Sequence, residues 1–105
     1  MGLFSYIGGK MRQAKEEAQA AQMEAENWSE EKIYREFQRE SSMSKRTGYG
    51  MVFKSRCRRM EDSDLKKWFE RAYHEKNMGL INIMMPEMNE RGLAHMEEGR
   101  IIRTY

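Results

Sequence analysis

The chain is poor in the residues that cross-link, kink and punctuate small proteins. Cys57 is its single cysteine, so no disulfide can form within it, and a reducing compartment is the simpler expectation. Pro86 is its single proline, and there are eight glycines in 105 residues. That is too few turn residues for an all-β protein built from many short strands, and it favours helices. The two histidines, His74 and His95, stand far apart with no second cysteine, so no metal-binding spacing is present. No apolar run approaches the roughly 20 residues needed to span a bilayer. The start also lacks the basic segment and long apolar stretch of a secretory signal. These absences lead us to expect a cytoplasmic protein.

Catalytic groupings are missing as well. A Cys–His nucleophile pair would need Cys57 to meet one of the distant histidines. Arg56 and Arg58 flank Cys57 and should favour its thiolate, but an ordinary free thiol in a basic helix is the simpler reading. No glycine-rich loop precedes a lysine in the phosphate-cradling pattern. The glutamates fall at solvated helix positions, with no pair set in an apolar pocket for general acid–base work. We expect no enzyme, no cofactor and no metal.

What is present fits one small domain: hydrophobic residues make up 39% and charged residues 34%. That is leaner in apolar residues and richer in charge than an average globular chain, so a single modest core is expected. The chain is rich in methionine, with eleven. Methionine fills cores and adaptable interfaces alike. Met84, Met85 and Met88 read mainly as core filler, and Met43, Met51 and Met96 less so.

Helical periodicity runs through most of the chain. Leu3, Ile7, Met11, Ala14, Ala18, Ala21, Ala25 and Trp28 recur at steps of three and four and predict an N-terminal helix over residues 3–26. Its small-residue stripe lets another helix approach closely: a partner, a second copy or its own domain. The apolar, glycine-rich opening from Gly2 to Gly9, with Lys10 and Arg12 behind it, looks like a short interfacial anchor or an end that docks on a partner. Asn27 or Ser29 can cap a second helix, with Glu30 and Glu31 in its first turn and Ile33, Tyr34 and Phe37 on its apolar edge. Gly48-Tyr49-Gly50 reads as the clearest break in the chain, followed by a short helix over residues 51–60. Asp62 or Ser63 then caps the strongest amphipathic pattern, Leu65, Trp68, Phe69, Ala72 and Tyr73, which Asn77 and Gly79 stop. Leu80, Ile81, Met84, Met85 and Met88 mark a further helix ended by Gly92; with Asn82 as its cap, Pro86 falls in the first turn, and otherwise Pro86 kinks the helix. Residues 93–96 and 100–103 pair as a small hairpin or form an extended tail.

The expected fold is therefore mainly α, a small bundle of four or five helices, with the C-terminal stretch a short β-hairpin or an extended tail. Residues 1–28 form an amphipathic Ala-rich helix, projecting or loosely packed. Residues 29–105 form a compact helical domain whose core lies in 29–92, centred on Leu65, Trp68, Phe69, Ile81, Met84 and Met88.

Net charge is only +2, but it is unevenly spread. Residues 1–44 carry six basic and eight acidic side chains, and residues 61–105 carry seven and nine. Residues 45–60 carry six basic and none acidic. In this stretch Lys45, Arg46, Lys54, Arg56, Arg58 and Arg59 interleave with Tyr49 and Phe53. Such a segment suits an acidic protein surface, by long-range attraction. It also suits nucleic acid, with cations on phosphates and a tyrosine stacked on a base. It can equally be a solvated face paired with Glu61, Asp62 or the acidic second helix.

Two resemblances attach to the C-terminal part. Helix pairs ending in the run Met88-Asn89-Glu90-Arg91-Gly92-Leu93 look like one hairpin of a pentatricopeptide-type repeat, without the array such repeats need. The order of capped helix, short turn, helix, Glu-Arg-Gly-Leu and hairpin over residues 63–103 is similar to the end of a winged-helix DNA-binding domain. That resemblance implies a recognition helix showing Ile83, Met84, Met85 and Met88, side chains with little capacity to read base edges.

The leading expectation is a small non-catalytic interaction or regulatory protein. It would bind a larger protein through residues 45–59 and through Met-rich or aromatic helix faces. The alternative is a nucleic-acid-binding protein using the same patch. A third is an oligomeric or membrane-surface scaffold through the N-terminal helix, with self-association through residues 3–28.

Overall fold

The computed structural model describes the backbone of residues 3–105 and the side chains from Gly9 onward. Among the described residues there are five helices, α1 (Leu3–Ala25), α2 (Glu30–Arg39), α3 (Met43–Arg59), α4 (Asp62–His74) and α5 (Met78–Glu90). An antiparallel hairpin of β1 (Ala94–Glu97) and β2 (Arg100–Arg103) follows. The fold is mainly helical with a C-terminal hairpin, as the periodicity predicts. The side chains of Leu3 and Ile7, and nearly all of the apolar opening, lie outside the described residues.

The chain forms two compact units, residues 1–53 and 54–105. The boundary falls inside α3, so the boundary expected after residue 28 lies within the first unit.

In the first unit, α2 starts at Ser29, whose hydroxyl accepts the backbone N–H of Lys32 at 3.2 Å. Glu30 and Glu31 in its first turn meet the positive end of the helix dipole. Ile33, Tyr34 and Phe37 are buried along one edge. They share the core with Tyr49, Val52 and Phe53 of α3 and with Ala21 and Ala25 of α1. The Tyr34 and Phe53 rings meet edge to face at 6.3 Å, and Trp28 lies 5.1 Å from Tyr49.

The expected break at Gly48-Tyr49-Gly50 is not there: α3 runs straight through it. A glycine inside a helix costs about 1 kcal/mol relative to alanine, but tertiary packing overrides that propensity. A methyl added at Gly48 would press on the Ala18 carbonyl oxygen and lie 2.9 Å from both the Ala21 Cβ and the Gln22 backbone nitrogen. The glycine is what lets α3 touch the backbone of α1. The small stripe of α1 is thus used within the unit from Ala18 to Ala25, whereas Lys10 to Glu16, Ala14 included, are exposed.

In the second unit, α4 begins at Asp62 with Glu61 at its cap position, one residue before Asp62 and two before Ser63, the expected caps. Leu65, Phe69 and Ala72 are buried, together with Leu80, Ile81, Met84 and Met88 of α5. Trp68, expected at the centre, is only half-buried, with the Arg71 guanidinium 5.4 Å above its ring. Asn77 begins α5 rather than merely ending α4: its side chain accepts the Leu80 N–H at 3.2 Å. Pro86 consequently lies inside α5 and not in its first turn. It deletes the bond to the carbonyl of Asn82, and both residues are exposed. Gly92, with φ of 71°, closes α5, and the Leu93 N–H returns to the Met88 carbonyl at 2.8 Å. Glu98 and Gly99 both have positive φ, the conformation of a two-residue hairpin turn.

Candidate functional site

Continuity of α3 decides how the basic segment is displayed. A helix turns by about 100° per residue, so Lys45 and Lys54 point to opposite sides of it, whereas Lys54 and Arg58 share a face. The six cations do not form one stripe. Lys45, Lys54, Arg58 and Arg59 are exposed, and none of their side chains makes an ion pair among the described residues. Arg46 is half-buried; its Nε donates to the Phe37 carbonyl at 3.2 Å and its guanidinium lies 4.7 Å over the Phe37 ring. Arg56 is half-buried and already engaged.

Tyr49 and Phe53, expected to interleave with the cations on the surface, are core residues at 5% and 0% exposure. Burial, followed by the charges of Glu24, Glu40 and Glu36, pushes the Tyr49 phenol above its ordinary pKa. It is a neutral ring under the surface, with no face free for a base.

Lys54 and Arg58 line a small cleft of about 80 Å³ with Ile83, Pro86, Glu87 and Glu90. Glu87 is held by Arg91, whose Nε donates to it at 2.8 Å. The same guanidinium donates to the carbonyls of Cys57, Arg58 and Met60 at 3.1, 3.2 and 2.7 Å, and to Asp62 at 2.9 Å. Arg91 therefore caps the C-terminus of α3, where carbonyls lack helical partners. The Glu87–Arg91 spacing was the one sequence signal for it; the carbonyl acceptors are distant in sequence.

A second polar cluster centres on Glu70. Arg103 donates to both its carboxylate oxygens at 2.9 and 2.6 Å, and the Tyr105 hydroxyl donates at 2.7 Å. Burial pushes the Glu70 carboxyl up, but the bonds from Tyr105 and Arg103 and the charges of Arg103 and His74 outweigh it, and the net shift is downward. This cluster fastens the strand β2 and the residues after it to α4.

Cys57 is fully buried. No group of three or more His, Cys, Asp or Glu side chains suited to a metal ion occurs among the described residues. No helix among them is long and apolar enough to cross a membrane. Helix α5, the recognition helix of the winged-helix likeness, carries no Lys or Arg, and its Met84 and Met88 are core. Comparison with known proteins finds no matching family model, no matching curated protein and no matching solved structure.

Proposed function

We propose that this is a small non-catalytic interaction protein that docks on a larger, acidic protein surface through the exposed cations of α3. The observation that carries this reading is that Lys54, Arg58 and Arg59, together at the C-terminal end of α3, stand exposed without an ion pair among the described residues. Such side chains accelerate encounter with an opposite surface and are neutralised only there. The burial of Tyr49 and Phe53 favours a protein over a single-stranded nucleic acid, because it removes the stacking platform that such binding uses. Exposed Met43, Met51 and Met96, at 73%, 50% and 54%, supply adaptable apolar contacts.

The test is a quantitative pull-down from host extract, with and without nuclease, comparing the wild type with Arg58→Glu/Arg59→Glu. Nuclease-resistant capture that drops about tenfold in the variant, at unchanged helicity, is expected. Capture that disappears with nuclease transfers the cations to nucleic acid, and unchanged capture by the variant removes the electrostatic docking altogether.

A further inference from the structure

We propose that the groove between α1 and α3 in the first unit seats an amphipathic helix with acidic flanks, contributed by a protein partner; this rests on the docking function above and names the chemistry of what docks. Where Gly48 draws α3 onto α1, the two helices leave a furrow of about 460 Å³ beside their crossing. Ala14, Lys15, Ala18 and Gln22 line it from α1, and Thr47 and Met51 from α3.

Three features fix the occupant. The lining is small and apolar at Ala14 and Ala18, which leaves room there for the apolar side chains of a third helix. The rim is methionine: Met51 lines the groove at 50% exposure. Met11 lies one turn before Ala14 and Lys15 on the same face of α1, and Met43 one turn before Thr47 on α3, at 68% and 73% exposure. Flexible, polarizable methionines around an open furrow suit the apolar stripe of a partner helix. The charge is one-sided: among the described residues, Lys15 is the single charged one lining the groove, and no carboxylate lines it. Glu17, the nearest acidic residue along α1 after Glu16, accepts a hydrogen bond from the Ser42 hydroxyl at 2.8 Å. From Ala14 to Gln22 the track is about 12 Å long, enough for two turns of a partner helix.

The test uses the full isotope-labelled chain and two synthetic helical peptides with one leucine face, flanked in one by glutamate and in the other by lysine. The glutamate peptide is expected to shift the amide resonances of residues 14–22 and 44–51 and to bind about tenfold more tightly than the lysine peptide. Thr47→Trp, at an exposed position, fills the furrow and should weaken the glutamate peptide about tenfold. Lys15→Glu should erase its advantage over the lysine peptide. Equal binding of both peptides, indifference to Thr47→Trp, or shifts confined to residues 54–59 overturns the proposal. So does a Trp-sensitive dimer seen by light scattering without peptide, which would put a second copy in the groove. The docking function fails separately, when capture of the native partner ignores Arg58→Glu/Arg59→Glu yet is lost with Thr47→Trp.

Discussion

The two halves of α3 are held in place by different physics. In its first half, Gly48 removes a side chain so that backbone meets backbone, and Tyr49, Val52 and Phe53 fill the space around that approach. Stabilisation there is close packing, in which an added methyl is felt at once. Its second half ends in carbonyls that a single guanidinium gathers, and the same unit fastens its hairpin through the carboxylate of Glu70. Stabilisation there includes directed polar bonds around an apolar core. One helix can thus be tied down by the absence of a side chain at one end and by a long charged one at the other. Between those ties it presents cations that neither device uses.

The comparison breaks most sharply at Arg91. Arg91→Ala removes one donor from each of three carbonyls and two carboxylates and should cost about 2–3 kcal/mol in urea unfolding. Arg91→Lys should recover little of it, because an ammonium cannot reproduce the planar fork. Full recovery with lysine would mean that charge alone matters there. Gly48→Ala comes next. The gain in helix propensity is opposed by overlap with α1, and a net loss of about 1–2 kcal/mol is expected, with faster hydrogen exchange in α1. A stabilised Gly48→Ala protein would show that the two backbones do not need to touch.

Glu70→Gln should cost about 1 kcal/mol or less, since the cluster is partly solvated. Its sharper signature is in pH. A carboxyl held below its ordinary pKa contributes stability that is present above that ordinary value and lost as pH falls through the depressed one. The wild type should therefore lose hairpin protection on acidification, and Glu70→Gln should flatten that acid limb. Arg58→Glu/Arg59→Glu should cost about 1 kcal/mol or less: both side chains are solvated, but the reversal sets two carboxylates in the last turn of α3, against its dipole.

Much of this architecture was legible in the chain. Helices α2, α4 and α5 follow from apolar spacing, with Ser29 among the expected caps of α2; but Asn77, which reads as a stop, caps α5 in place of Asn82, and the hairpin turns on Glu98-Gly99 rather than on Glu97-Glu98-Gly99. Among the methionines, Met84 and Met88 are buried while Met43, Met51 and Met96 are exposed, in line with their patterns; Met85, expected in the core with the first two, is only half-buried. The misreadings share a cause. Gly48-Tyr49-Gly50 looks like a break because glycine's local cost is visible in sequence, whereas Ala18 and Ala21, which require it, are far away along the chain. That error then hid the display of the basic segment. With a helix drawn through the glycines, its periodicity sends Tyr49 and Phe53 inward and splits the cations between faces. Trp68 was placed too deep because an amphipathic stripe does not reveal which of its edges a neighbour covers. Arg91 was missed because its acceptors are backbone carbonyls, which have no residue type.

The most direct measurement of the docking account is partner capture over a salt series from about 50 to 500 mM, for the wild type and for Lys54→Glu/Arg58→Glu/Arg59→Glu. The account predicts wild-type capture that falls steeply with salt, and variant capture that is weak at low salt and nearly independent of it. A variant that captures its partner as well as the wild type at low salt would contradict it.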